Sequence, residues 1–454
     1  MKKKFLVPLM AGILALSFNS CQKDIKNINK ENPNQFSDSD PTLMITGAQM
    51  ANVLFNEGEA ARLAGIFNGY FVGYDRQYVS YQDYNMTSGD FDNSWATLYS
   101  EGVAQCRLIR AKADAVNNKT LSAVASITEA HLLLTASSLW GDIPNTEACR
   151  DDIAKPKYDK MEDVHAYCIQ LLDDAIPNVG GSSAYGNAYV SGFDWAEVAN
   201  TLKARALMRK KDYAGALAAA LNGVSQGKDL RAKHDQETPG AWNLYYDFCY
   251  WNRGGYMSCD GSHVSKLMDT ASSINRNNAK TDEMPRFEWY FLSDPSEAYS
   301  PLDPNFYGIY YATTPFDLVT YVENELIIAE CYARQSDNDK ALDHLNNVRA
   351  EHDATYGTFK SYDIADFGPG SMVNGSSVND ALLMEILEEK YVSLFGQIET
   401  FSDIRRTKNA LGIPVNTGSK LPARFLYPQS ELTTNRDNVP TDQLDLFLDL
   451  DYFK

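Results

Sequence analysis

Apolar residues recur at three- and four-residue intervals along most of this chain, the spacing that gathers them on one face of an α-helix and turns that face toward a core. The pattern predicts helices over 42–56, 59–70, 92–116, 121–140, 161–176, 194–209 and 212–224. After a long interruption it resumes over 316–334, 338–349, 378–395 and 399–409. The helices come in pairs joined by short links, which sets the members of a pair antiparallel to each other.

Two of these pairs overlay in register across their central part. Ala204, Arg209, Asp212, Ala216, Leu217 and Asn222 of the first recur as Ala329, Arg334, Asp337, Ala341, Leu342 and Asn347 of the second. A small residue on one helix meets a small residue after the turn, which lets two helices approach closely in the manner of tetratricopeptide repeats. Ordinary helical-hairpin packing would reproduce the apolar positions; the agreement of the polar turn positions favours a repeat. The fold class expected is therefore mainly α, with tetratricopeptide-like helical hairpins.

From about 227 to 315 the helical period is lost, and Gly, Pro, Asn, Asp and Ser alternate with aromatic residues, leaving room for only a short helix near 264–270. A stretch this long without regular structure is expected in a compact domain mainly as a functional elaboration. It contains Trp242-Asn243-Leu244-Tyr245-Tyr246-Asp247-Phe248-Cys249-Tyr250-Trp251-Asn252-Arg253-Gly254-Gly255-Tyr256, then Phe287, Trp289, Tyr290, Tyr299, Tyr307, Tyr310 and Tyr311. An earlier loop, Tyr74-Asp75-Arg76-Gln77-Tyr78 through Tyr81 and Tyr84, has a similar composition. Sugars present apolar C–H faces and polar rims, so flat rings bounded by amide, carboxylate and guanidinium groups suit them; peptides suit them nearly as well. Loop position and ring chemistry select Arg76, Tyr78, Tyr81, Trp242, Trp251, Arg253 and Trp289 as candidate ligand-binding residues. Trp95, Trp140 and Trp195 fall in or at the end of helical patterns and are assigned to the core.

Composition narrows the function classes. At 44% hydrophobic and 12% aromatic the chain is that of a folded protein, and a net charge of -19 with no basic stripe argues against nucleic-acid phosphates as a partner. His131, His165, His234, His263, His344 and His352 form no ligand-spaced set, and the seven cysteines include no C-x-x-C pair, so neither a metal nor another cofactor is expected. Cys106, Cys168 and Cys331 read as small buried residues, whereas Cys249 and Cys259 flank a loop where a bridge could form. No G-x-S-x-G elbow, H-E-x-x-H motif or P-loop occurs. Paired carboxylates for glycoside hydrolysis are a spatial feature, so an all-helical glycoside hydrolase stays as the enzymatic alternative, with Glu129 and Asp142 the acids to nominate.

The N-terminus carries a different message. Lys2, Lys3 and Lys4 precede an apolar run from Phe5 to Phe18, which Pro8 and Gly12 interrupt and which is shorter than the roughly 20 residues of a spanning helix. A secretory signal over 1–20 is expected. Ser20-Cys21 places a thiol where a lipoprotein signal peptidase would leave a lipidated Cys21, making the protein anchored rather than spanning. An ordinary signal peptide is the alternative, because Phe18 and Asn19 stand where Leu and a small residue are commoner. Residues 21–40, polar and rich in Asn, are then a tether between lipid and the folded part, 41–454. Cys21-Gln22-Lys23-Asp24 resembles the start of the tag that exports lipoproteins of the Bacteroidetes to the outer face, with Ile25 and Lys26 departing from its acidic form.

An ordered set of short motifs completes the picture. Glu31-Asn32-Pro33-Asn34 precedes the first helix. Leu139-Trp140-Gly141-Asp142-Ile143-Pro144-Asn145-Thr146-Glu147-Ala148 follows a long one, and Pro156-Lys157-Tyr158-Asp159 precedes the next. Ala199-Asn200-Thr201-Leu202-Lys203-Ala204-Arg205, Glu325-Leu326-Ile327-Ile328-Ala329-Glu330, Glu388-Glu389-Lys390-Tyr391, Asp403-Ile404-Arg405-Arg406 and Tyr427-Pro428-Gln429-Ser430-Glu431 follow in order. Locally, Pro144 disfavours helix in the residue before it, and Glu388 and Glu389 are expected to pair with Arg405 and Arg406. In this order the motifs resemble the SusD/RagB family of outer-membrane lipoproteins over nearly the whole mature chain. The resemblance implies a tetratricopeptide-like helical body and a lipid-anchored, surface-exposed place on the outer membrane. It also implies a partnership with a SusC-like TonB-dependent transporter, to which bound oligosaccharide, or peptide in RagB-like relatives, is delivered without catalysis.

Overall fold

The computed structural model of the protein describes residues 39–237 and 239–453. The expected signal segment, Cys21 and all but the last two residues of the expected tether lie outside the described residues. The chain separates into Met1–Leu43 and a larger unit, Met44–Lys454, and the larger unit holds the core.

The helical period is translated almost element by element. Helices α1 (Pro41–Glu57) and α2 (Glu59–Phe67) are followed by the short α3 (Gln77–Gln82). Next comes an unbroken helical run made of Asp92–Ala96, a π-wound Thr97–Val103, and α4 (Ala104–Ala115). Then come α5 (Lys119–Trp140), α6 (Met161–Val179), α7 (Trp195–Arg209) and α8 (Tyr213–Ala220), and after the interruption α9 (Tyr321–Arg334), α10 (Asn338–Tyr356), α11 (Val378–Ser393) and α12 (Glu399–Arg406). Helix α5 is buried nearly all round because α4 and α6 pack along it, and its apolar residues form the middle of the main core. Helix α2 stops short of Tyr70 because Gly69 takes φ of 76° and the Tyr70 N–H turns back to the Gly65 carbonyl at 2.8 Å.

The repeat is visible down to backbone detail. Lys211 and Ser336, equivalent turn residues, both adopt left-handed φ, 62° and 61°. The N–H groups of Asp212 and Asp337 reach back to the carbonyls of Leu207 and Tyr332, each at 3.0 Å. Each aspartate then caps the next helix, Asp212 accepting from the Gly215 N–H at 2.9 Å and Asp337 from the Lys340 N–H at 3.4 Å. The four alanines of the repeat, Ala204, Ala216, Ala329 and Ala341, are fully buried at the helix crossings. Ile327, Ile328 and Cys331 of α9 close a small core against α7 and α8.

Two expectations need correcting. The stretch predicted as helix from 316 begins instead as a strand, Phe316–Val319, paired antiparallel with Leu230–Ala232. Its first residues alternate, Phe316 and Leu318 inward and Asp317 outward, and Thr320 ends the strand by capping α9 through the Glu323 N–H at 3.2 Å. The ion pairs of the last hairpin also differ. Glu389 pairs with Arg276 and Arg286, both at 2.8 Å, and Glu388 lies 3.7 Å from Arg276. Arg406 pairs with Glu330 at 2.6 Å and Asp403 at 2.7 Å, whereas Arg405 takes carbonyl oxygens. Arginines supplied by the interrupted region thus reach the acids first.

Trp95, Trp140 and Trp195 are buried in the core, as are Cys106, Cys168 and Cys331. Cys249 and Cys259 are both buried free thiols.

Candidate ligand-binding surface

The interrupted region is organised by short elements. Val72–Gly73 pairs with Met257–Ser258 and Phe291–Leu292 with Asp303–Pro304, while Leu244–Tyr246 and a π-wound Asp247–Asn252 form one short, wide helix. Asn243 caps this helix, its side-chain oxygen accepting from the Tyr245 and Tyr246 N–H groups at 3.0 and 3.3 Å while its amide donates to the Thr314 carbonyl at 3.0 Å. From below, Glu57 at the end of α1 accepts from the Leu244 N–H at 2.7 Å and from His234 Nε2 at 3.0 Å. Burial opposes the charged imidazole, but Glu57 and the Ala241 carbonyl outweigh it and hold the His234 pKa above its ordinary value.

That cap decides which rings face out. Tyr245 and Cys249 point inward, Tyr245 stacking on Tyr310 at 4.3 Å and donating to the Gly396 carbonyl at 2.8 Å. Trp242, Tyr246 and Tyr250, four residues apart, fall on the other side and form a row, with centroids 5.5 and 5.0 Å apart. Trp251 extends the row at one end, 5.4 Å from Trp242, and Tyr307 at the other, 6.0 Å from Tyr250. Tyr311 flanks Tyr246 at 5.8 Å. Buried Phe306 floors the row beneath Tyr250, and Tyr299 stands against Phe306. Gly254 makes room for Tyr299, since a Cβ there would lie 2.8 Å from its ring. Trp251 is 64% exposed, Tyr299 49% and Tyr307 46%, a large apolar face left to solvent. Burial and the neighbouring tyrosines raise the Tyr246 pKa, and burial with a Glu297 hydrogen bond pushes Tyr307 up to about 12.

The sequence candidates divide over this geometry. Trp242 and Trp251 belong to the row. Trp289 is exposed on the short helix Met284–Tyr290, and its carbonyl accepts from the Ile309 N–H at 3.2 Å beside the turn that carries Tyr307. Arg76 and Arg253 are exposed on adjoining turns joined by the Tyr74 N–H to Tyr256 carbonyl bond at 2.9 Å. Tyr78 and Tyr81 instead point inward. Arg62 donates to the Tyr78 hydroxyl at 3.2 Å, the Tyr81 hydroxyl donates to Asp90 at 2.7 Å, and the Tyr78 ring packs against Phe248 and Tyr81. Tyr246, Tyr250, Tyr299, Tyr307 and Tyr311 join the surface without having been singled out. The four-residue step Trp242, Tyr246, Tyr250 was the signal available for the first two.

The acids nominated for hydrolysis are committed elsewhere. Glu129 is fully buried and binds Arg107 at 2.8 Å, Arg110 at 3.1 Å and the Tyr167 hydroxyl at 3.0 Å. Asp142 accepts from Lys160, the Met161 N–H and Gln443, at 2.7, 3.0 and 3.0 Å. Among the described residues no cluster of His, Cys, Asp and Glu is placed to hold a metal, and no helix is long and apolar enough to cross a membrane.

A mainly helical body of paired repeats that carries a loop-borne aromatic face defines the structural class, and comparison with known families names it. A family model described as starch-binding and associating with the outer membrane matches residues 33–228, and the SusD family model matches residues 180–437, more than half of the chain. The chain belongs to the SusD family. Among solved structures it is similar to a SusD/RagB family protein from Bacteroides thetaiotaomicron, at 20% identity and TM-score 0.67 over 89% of this chain and 96% of that one. It is also similar to a chitin-binding SusD homologue from Flavobacterium johnsoniae, at 14% identity and TM-score 0.64 over 90% and 98%. A chitin-binding protein aligns at 19% identity and TM-score 0.65 over 91% and 99%. No curated protein matches the chain.

Proposed function

We propose that this protein captures oligosaccharide on the row formed by Trp251, Trp242, Tyr246, Tyr250 and Tyr307, at the outer face of the outer membrane, and delivers it to a SusC-like TonB-dependent transporter without chemistry of its own. The observation that carries this reading is the contiguous set of rings, from half-buried Trp242, Tyr246 and Tyr250 to exposed Trp251 and Tyr307, which offers ring faces and edges to the apolar sides of sugars. Family membership and the glycan-binding relatives support it. Exposed Arg76, Arg253 and Trp289, on neighbouring loops, would supply hydrogen-bond donors and a further ring to the same ligand. Cys21, lipidated after removal of 1–20, provides the anchor, and 21–40 the tether.

The test is binding of a soluble form lacking residues 1–21 to a panel of oligosaccharides and peptides, with a product assay on every ligand found. Oligosaccharide binding that fails with Trp242→Ala and leaves the sugar intact is the expected result. Binding of peptides alone would replace sugar by peptide as the cargo, and turnover would return the protein to the glycoside hydrolases.

A further inference from the structure

Away from the aromatic row, between α12, the segment 415–423 and the segment 449–453, lies a half-open pocket of about 490 Å³. The size is that of a small-ligand site. Its walls are apolar: Phe67, Phe401, Ile404, Leu421, Leu450 and Phe453. Its charges are not balanced. Arg405, Lys408 and Lys420 line it against one carboxylate, Asp449, which Lys420 already pairs at 2.7 Å. In a chain of net charge -19, a cationic apolar pocket runs against the overall composition.

Arg405 is the informative group. Its neighbour Arg406 is matched by Glu330 and Asp403, and nearby Arg209 by Glu399. Arg405 meets oxygen dipoles instead: Nε donates to the Phe401 carbonyl at 2.8 Å, and Nη1 to the carbonyls of Ser138 at 2.6 Å and Ala423 at 3.0 Å. Nη2 reaches only the Ser402 hydroxyl, at 3.5 Å, so it keeps donor capacity. The guanidinium is sandwiched between Phe401 at 3.9 Å and Phe453 at 4.6 Å. Burial and the charges of Arg209 and Arg424 work against its protonated form, with Glu399 opposing. The part-buried guanidinium meets no carboxylate, and a carboxylate brought to Nη2 would gain a charge-assisted hydrogen bond.

We infer that this pocket is a binding site for an apolar monocarboxylate, a free medium-chain fatty acid, with its carboxylate on Arg405 and its chain against the apolar walls. The pocket shares no lining residue with the aromatic row, so this site is independent of the oligosaccharide reading.

The test is calorimetric titration of the soluble protein with decanoate and, separately, decanol, below their aggregation concentrations. Decanoate is expected to bind at one site at least about tenfold more tightly than decanol. Lys408→Glu, at the rim, weakens decanoate about threefold or more and leaves decanol unchanged, while Val415→Trp, which fills the pocket, removes both. Trp251→Ala leaves decanoate binding unchanged. Equal affinity for acid and alcohol, absence of decanoate binding, or its survival with either Lys408→Glu unaffected or the pocket filled overturns the inference. Should Val415→Trp fail to fold, the Lys408→Glu comparison decides.

Discussion

The paired repeat, α7 to α10, and the interrupted region between its halves are built on different principles. In the repeat, each structural feature sits within a few residues of its cause: Asp212 and Asp337 cap the helices that follow them, and small residues set the crossings. In the interrupted region a local cap, Asn243, works together with partners from far along the chain. Glu57 holds the Leu244 N–H, the Gly396 carbonyl holds Tyr245, and Arg276 and Arg286 reach α11. A scaffold specified locally carries a surface that is specified in part from a distance.

The largest expected effect breaks the scaffold without touching the surface. Arg406→Ala leaves buried Glu330 with Arg334 alone, at 2.7 Å, and should lower stability by about 2–3 kcal/mol in urea unfolding. Oligosaccharide affinity of the folded fraction stays unchanged. The converse comes next: Tyr246→Ala should weaken oligosaccharide binding by roughly 2 kcal/mol, about thirtyfold, read by titration. Exposed Trp251→Ala should weaken it comparably while unfolding shifts by no more than about 0.5 kcal/mol. Asp212→Ala should cost about 1 kcal/mol through the lost cap, and Asp337→Ala less, since its capping bond is longer.

The smallest effect is a pH dependence of the latch under the row. Because the His234 pKa is raised in the folded protein, its pair with Glu57 contributes stability that is fully present below the unfolded value of about 6.5 and is lost as pH rises through the folded value. Melting temperature should therefore fall slightly on going from acid to alkaline pH across that window. His234→Gln should flatten this component.

The sequence made the helices legible because their cause is periodic. It misplaced the start of α9, since four residues of strand, Phe316–Val319, are too few to establish a period of two before Thr320 begins the helix. The aromatic region was legible as a region, not as a surface. Tyr245 and Tyr246 are adjacent and chemically identical, yet one is buried under Gly396 and the other lies in the row, a choice made by the Asn243 cap and the π-wound turn. Tyr78 and Tyr81 share the loop composition that selected them, but Arg62 and Asp90 draw their hydroxyls inward. Arg405 and Arg406 are likewise adjacent, and the positions of Glu330 and Asp403 separate a cation with carboxylate partners from one that meets only carbonyl and hydroxyl oxygens.

The most direct test of the account is the titration of one soluble oligosaccharide ligand into the wild-type protein and into Trp242→Ala and Tyr246→Ala, with circular dichroism of each. Loss of binding in both variants with the helical spectrum intact is the result predicted. Full affinity in both variants would contradict the aromatic row as the place where sugar is held.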